Sequence, residues 1–507
     1  RERRWRECRA LNGEEPRRAA PQSRAELATV RSLRPAEVVW LAAVIDGEGC
    51  FSHNARDVQL VVAQNDRRLL DRVRALIGAG NIARSGAAAW RFQTTGRSAL
   101  LQLIPQLLDA LIVKHEAADI TLRFCRSEIG REEYERLITV ANARGRGAPL
   151  PTPGSGAFSV IYATKWLAGA FDGEGDVAYA TTPRVKIGNV VPEFVARVRD
   201  LAGVGATHVR NNEGTKNRDL HFWLAHGDDA SRFLVRVLPH LVVRGERAVV
   251  ALRLRDALRS RAHPSKIEML RLQLGAMNAR GKRDPWQQVL RERLAARHPE
   301  ELPQRELTTA DASVRAIERV DADAFLRRYE WMGNVGSARA CYGVLFDGRL
   351  GGVACFGSSG GKRSLEVCGE DSAAVTICLT RGASAWWAPR WTASFLISRA
   401  TALAAKDHGW RVFVAYADAA AGEIGNVYQA SNWLYLGRDD RARRVFASPD
   451  GNRSSRFRST AAETWEAARV NGWSIVAELS KHKYALILGP HKEVKSLRAK
   501  LRLKPQP

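Results

Sequence analysis

The sequence has no pair of cysteines at C-x-x-C spacing. Its seven cysteines are odd in number and lie far apart. That argues against a disulfide framework and a zinc ribbon and suits a reducing cytoplasm. No apolar run approaches the roughly 18 residues a membrane span requires. The opening Arg1–Arg9 is basic, but no apolar stretch follows it, so it is not a secretory signal. The chain begins with Arg rather than Met, as a fragment would. It is also short of negative charge. Against 79 Lys and Arg stand 54 Asp and Glu, a net charge of +25 over 507 residues. Such an excess predicts attraction to a polyanion rather than a particular fold. It is spread along the chain: 30 against 20 from Arg305 onward and 49 against 34 before it. Both parts can therefore meet nucleic acid. At roughly 100–200 residues per domain the length suggests about three domains.

Two stretches are copies of one pattern. W-L-A-A-V-I-D-G-E-G runs from Trp40 to Gly49, and W-L-A-G-A-F-D-G-E-G from Trp166 to Gly175. Each is an apolar helical body ending in small residues and a carboxylate pair: Asp46 and Glu48, then Asp172 and Glu174. The surroundings repeat as well. L-I-V-K-H-E-A-A (Leu111–Ala118) parallels L-V-V-R-G-E-R-A (Leu241–Ala248), and A-N-A-R-G parallels M-N-A-R-G. The spacing grows from 126 at the tryptophans to 136 at Asn142 and Asn278, as in a duplicated domain with a few insertions.

The periodicities predict one order of elements twice. In the first copy a helix from Pro35 to about Gly47 leads into strands at Cys50–His53 and Val58–Gln64. A helix over Asp66–Ile77 and strands at Asn81–Arg84 and Ala89–Thr94 come next. Then follow a helix over Ser98–Leu108, interrupted by Pro105, and a helical stretch from His115 to Ala143. The second copy repeats this and ends in a long helix reaching Met277. The expected divisions are a poorly ordered basic arm at 1–30, repeat one at 31–148, a linker at 149–158, repeat two at 159–283, a connector at 284–312 and a third domain at 313–507.

Ala43 and Gly47 lie one helical turn apart, as do Gly169 and Gly173. Small residues at that spacing let two helices approach closely. If the motif helices cross there, Glu48 and Glu174 project side by side. Adjacent carboxylates repel unless a cation sits between them, and Mg²⁺ or another divalent cation suits them. Both stretches resemble the LAGLIDADG motif of homing endonucleases, with Glu in the second acidic position. The resemblance covers about 35–283. It implies an α+β fold of tandem αββαββα repeats, monomeric with pseudo-two-fold symmetry, whose strands lie in the major groove of double-stranded DNA. It also implies Glu48 and Glu174 as metal-binding catalytic acids. Lys114 matches a basic residue near the scissile phosphate, with Arg244 in the second copy. Alternating polar strand residues are the candidates for base contact: Gln59, Arg84, Arg91 and Gln93 in one copy, Arg184, Lys186, Arg210 and His221 in the other.

From Ser313 the pattern becomes α/β alternation with mixed pairing, expected to fold separately. The expected strands end at L-Y-L-G-R, followed by a basic tail. A-P-R-W-T-A-S-F-L-I-S-R-A (Ala388–Ala400) and Tyr416–Gly437 resemble GNAT-fold acyltransferases, in particular the Mom-like proteins that modify adenine in phage DNA. Acyl-CoA would then be the donor. Yet R-G-A-S-A-W-W-A-P-R stands where that fold's R-x-x-G-x-G/A pyrophosphate loop belongs, which argues against it. From the residues alone, Ser394 near a helix start suits phosphate, Asp418 lies just past a strand end, and Tyr428, Asn432 and Trp433 suit a base. Three functions compete: a site-specific endonuclease carrying an attached domain, a cleavage-dead binding or splicing factor, and a DNA-modifying acyltransferase delivered by the repeats.

Overall fold

The computed structural model describes residues 30–54, 57–85, 89–143, 150–213, 217–278, 286–330, 332–358, 362–419, 423–438, 443–448, 453–454, 465–470, 473–478, 480–501 and 503. The expected arm at 1–30 lies outside them except for Val30, as do the ends of both N-A-R-G stretches.

Repeat one runs α1 (Pro35–Glu48), β1 (Gly49–His53), β2 (Val58–Gln64), α2 (Arg67–Ile77), β3 (Asn81–Ser85), β4 (Ala89–Thr95), α3 (Arg97–Leu107), α4 (His115–Cys125) and α5 (Arg131–Ala141). Repeat two follows with α6 (Ala163–Glu174), β5 (Gly175–Tyr179), β6 (Pro183–Asn189), α7 (Pro192–Ala202), β7 (Ala206–Arg210), β8 (Leu220–His226), α8 (Gly227–Val237), α9 (Gly245–Arg259) and α10 (Pro264–Met277). Each repeat forms a four-stranded antiparallel sheet, ordered β1-β2-β4-β3 and β5-β6-β8-β7. The period-2 alternation explains the layering. Val58, Leu60 and Val62 point inward from β2, and Val185 and Ile187 from β6.

Gly78 and Gly203 close α2 and α7 in the left-handed conformation, at φ 80° and 68°. The two long helices expected from the sequence are each broken. Ser127 (φ 64°) and Arg261 (φ 51°) turn left-handed without being glycine, and Pro264 restarts the second helix at its first position. Pro105 lies inside α3 without ending it. The repeated asparagines do one job twice: Asn142 Nδ2 donates to Phe51 O and Asn278 Nδ2 to Val177 O, both at 2.7 Å, tying each repeat's last helix to its first strand.

A connector helix, α11 (Trp286–Arg297), leads into the third domain. Its strands are β9 (Ala312–Ala316), β10 (Ala338–Phe346), β11 (Arg349–Gly357), β12 (Thr376–Ser384), β13 (Val412–Ala417), β14 (Leu434–Gly437), β15 (Arg443–Ala447), β16 (Arg453–Ser454), β17 (Ser474–Glu478) and β18 (His482–Ile487). Seven form a mixed sheet, ordered β14-β18-β13-β12-β11-β10-β9, in which β12 and β13 are the parallel pair. The presumed basic tail therefore supplies an interior strand: β18 sits between β13 and β14. Its six residues, H-K-Y-A-L-I, carry no clear period-2 alternation that would stand out from the sequence. The remaining strands, β15 to β17, form a separate small sheet. Val445 and Ala447 of β15 join the apolar core of the repeats. Arg291 of α11 donates to Trp387 O and Ala388 O, at 3.3 and 2.8 Å. The boundary between the modules is thus packed, not merely linked.

Candidate active site and nucleic-acid interface

The motif helices α1 and α6 cross at their small residues. A Cβ on Gly169 would lie 2.5 Å from Trp40 O and 3.1 Å from Ala43 Cβ, so glycine is what permits this approach. Toward the helix ends the contact becomes reciprocal. The Cγ of Glu174 lies 3.1 Å from where a Cβ on Gly47 would stand, and the Cγ of Glu48 lies 3.7 Å from that of Gly173. Each glutamate stem crosses the other helix's glycine, and the two carboxylates share one half-buried space.

The first acid of each pair has another task. Asp46 is buried and accepts from the N–H groups of Ile112, Val113 and Lys114, each at 2.9 Å. Asp172 accepts from Val242, Val243 and Arg244 at 2.7, 2.9 and 3.0 Å. These bonds pin the turn before α4 or α9 to the motif helix. They place Lys114 and Arg244, which immediately precede those helices, beside the glutamates. Burial pushes Asp46 up to about 7 and Asp172 to about 6, with the N–H donors opposing.

The electrostatics at the centre are those of crowded acids. Burial, with Glu48 next to it, pushes Glu174 up to about 7, while Lys114 and Arg244 oppose. Burial raises Glu48 as well, opposed by Arg244 and a hydrogen bond from Gln64 Nε2 at 2.9 Å. Gln64 was not anticipated. It occupies the inward parity of β2 after Val58, Leu60 and Val62, and an amide at an apolar position was the available signal. The equivalent Asn189 in β6 accepts instead from Val191 N at 3.0 Å. Arg244 reaches Gly173 O at 3.4 Å, and its buried Nε has no hydrogen-bond partner among the described residues.

Strand register sorts the candidate base-contacting residues. Gln59, Arg91 and Gln93 share the outward face of the first sheet, where Gln93 Nε2 donates to Gln59 Oε1 at 2.6 Å. Arg184, Lys186 and Arg210 share the outward face of the second. Arg84 and His221 do not. Arg84 pairs with Trp90 at the inward parity and stacks on its ring, 5.1 Å from the centroid. His221 pairs with Asn189 and Val209 on the inward side. For both, the sequence placed the strand correctly and the parity wrongly, and a one-residue change of parity exchanges faces. The outward set gains His208, stacked on Phe222 at 5.4 Å, and His226 opposite Arg184.

In the third domain Asp418 and Tyr428 line a cavity, but Ser394 and Asn432 are not among its lining residues. The Ser394 hydroxyl bonds its own helix turn, donating to Trp391 O at 3.0 Å. Asn432 adopts φ 61° in an exposed turn, and Trp433 is buried. Helix capping and core packing account for these three.

A model of the Mom protein family matches residues 311–507. No match was found among curated proteins. Among solved structures, the N-terminal half is similar to the LAGLIDADG homing endonuclease I-GzeII in complex with its DNA target, at 13% identity and a TM-score of 0.37, covering 50% of this chain and 100% of that one. I-SmaMI, bound to uncleaved DNA in the presence of calcium, gives 14%, 0.37, 49% and 99%. The LAGLIDADG meganuclease I-AabMI, bound to uncleaved DNA, gives 16%, 0.37, 46% and 97%. The Mom family model thus covers the C-terminal domain alone.

Proposed function

We propose that the repeats are a site-specific DNA endonuclease making metal-dependent double-strand breaks at a long, non-palindromic site. The observation that carries this is the meeting of Glu48 and Glu174 at the crossing of α1 and α6, with Lys114 and Arg244 beside them. Two half-buried carboxylates side by side, both raised above their ordinary range by burial, suit a shared hard cation. Glu48 and Glu174 would hold Mg²⁺, which supplies Lewis-acid polarisation of a phosphate and an activated water. Gln64 fixes the orientation of Glu48. Lys114 and Arg244 bring fixed positive charge to a phosphate in the same space. Lys114 is able to release a proton, whereas Arg244 is not. Asp46 and Asp172 position these cations without touching substrate. The unlike outward faces support an asymmetric site read by one pseudo-two-fold monomer.

The cavity beside Asp418 and Tyr428 supports a second reading, in which the C-terminal domain transfers a group to DNA held by the repeats. Acyl-CoA is the donor that the GNAT resemblance implies for it. One experiment separates the two: incubate the protein with a randomised duplex library and Mg²⁺, then sequence new ends and weigh the nucleosides. Recurrent ends that vanish in the Glu48→Gln, Glu174→Gln double variant support cleavage. Intact DNA carrying added mass supports transfer.

A further inference from the structure

We infer, on the reading of the repeats as a DNA-cleaving module, that Arg68 of repeat one is a positioning residue for Arg244 of repeat two. It acts through Glu246 and holds the Arg244 guanidinium beside Glu48 and Glu174. The contacts run in one line. Asp66 caps α2 and accepts from Arg68 N at 3.0 Å. The same carboxylate takes the Arg68 side chain, from Nε at 3.0 Å and from Nη2 at 2.6 Å. The other arm of the guanidinium, Nη1, crosses to repeat two and donates to Glu246 Oε1. Glu246 stands in the first turn of α9, and Arg244 is the residue that caps that helix. The bond from Arg244 N to Asp172 fixes this corner from within repeat two. The bond from Arg68 to Glu246 fixes it from repeat one.

Repeat one builds the matching corner with another part. Glu116 occupies the first turn of α4 after Lys114, as Glu246 does in α9 after Arg244. Its partner is the linker: Thr152 N donates to Glu116 Oε2 at 2.7 Å. Val191 caps α7 where Asp66 caps α2, so the counterpart of Arg68 in repeat two is Glu193. An acid there does not pair with Glu116. The linker thus does for Lys114 what Arg68 does for Arg244.

An exposed ion pair adds little to stability. What this one supplies is orientation. Arg68 is already held as a fork on Asp66 before it reaches the half-buried Glu246, so little side-chain freedom is lost on pairing. The corner also needs the acid. Burial lowers Arg247, Arg244 adds like charge, and Asp176, Asp66 and Glu246 oppose. Without Glu246 held in place, Arg244 is driven from the glutamates by its own neighbour.

The test uses the full chain and a duplex selected by binding from a randomised library, titrated in EDTA so that binding is read apart from cutting. Removing a carboxylate from a DNA-binding surface by itself tightens binding. Glu246→Gln is expected to do the opposite and weaken it severalfold, because Arg244 leaves the place of the phosphate. Arg68→Ala should weaken it similarly and Arg68→Lys less. The pair Arg68→Ala, Glu246→Gln should lose no more than the larger single loss. Arg244→Gln should itself weaken binding about tenfold or more. In that background Arg68→Ala should add about twofold at most. Tighter or unchanged binding by Glu246→Gln, losses that multiply in the pair, or a full Arg68→Ala loss in the Arg244→Gln background would each overturn the inference; the last is what a direct contact of Arg68 with DNA gives. Adding Mg²⁺ to the same duplex decides the cleavage reading separately. A parent protein that binds without cutting sinks that reading and leaves the binding cycle to decide on Arg68, and one that selects no duplex contradicts both.

Discussion

Repeat one and repeat two use the same backbone devices and present different chemistry. Asp46 and Asp172 each gather three N–H donors, and Asn142 and Asn278 each hold the strand after the motif helix. The outward faces differ at nearly every equivalent position. Gln59 stands where repeat two has Arg184, Val61 where it has Lys186, Ser85 where it has Arg210, and Thr95 where it has His226. A residue that satisfies buried backbone donors has few substitutes. One that meets solvent or a polyanion has many. The duplication kept what the fold requires and diverged where DNA would be read, and repeat two became the more basic half.

The largest effect should come from the crossing itself. Gly169→Leu forces a side chain into the Trp40 carbonyl, 2.5 Å from the first added carbon. It should remove the cooperative unfolding transition or cost well over the roughly 1–3 kcal/mol of ordinary overpacking. A urea melt equal to that of the unaltered protein would show that α1 and α6 do not pack this way.

Next is a pH effect confined to repeat two. His240 occupies the turn where repeat one has Ala110. Burial, with Lys165 nearby, lowers it from an ordinary 6.5 to about 4. Below 6.5 the unfolded chain takes up a proton that the folded chain refuses, so this contribution to stability is lost as pH falls from 6.5 to 4. The loss is at most about 3 kcal/mol. In melts across that window His240→Gln should flatten the dependence by that amount, and an unchanged slope would count against it.

The outward faces give a smaller contrast. Arg184→Ala should cost roughly 1–3 kcal/mol in base discrimination on an identified site. Gln59→Ala, whose amide is shared with Ser52 and Gln93, should cost less. Competition binding with single-base variants measures both, and the reverse ranking would place the DNA elsewhere. Smallest is Gly173→Ala. Its added carbon meets nothing closer than 3.7 Å, so stability should stay within about 0.5 kcal/mol.

Much of the repeat architecture was legible in the sequence because each signal is local. The W-L-A-x-x-x-D-G-E-G copies, the alternation in β2 and β6, and Gly78 and Gly203 each act within one element. The crossing of α1 and α6 was legible because only small residues allow it. Parity at the ends of strands was not, so Arg84 and His221 were assigned to the wrong face. Left-handed turns at Ser127 and Arg261 were hidden because neither is glycine. Gln64 and Arg68 depend on long-range neighbours that spacing does not encode. In the third domain β18 completes the sheet from a stretch that reads as tail, since its place depends on pairing with β13 and β14, not on its own pattern.

Glu48 and Glu174 are proposed to form one catalytic centre across the two repeats. Strand-resolved cleavage of a mapped duplex with Mg²⁺ tests it most directly, comparing the unaltered protein with Glu48→Gln, Glu174→Gln and the double variant. The double variant should lose both strand cuts by orders of magnitude while its affinity for the site survives. Undiminished cutting of both strands by that variant would contradict it.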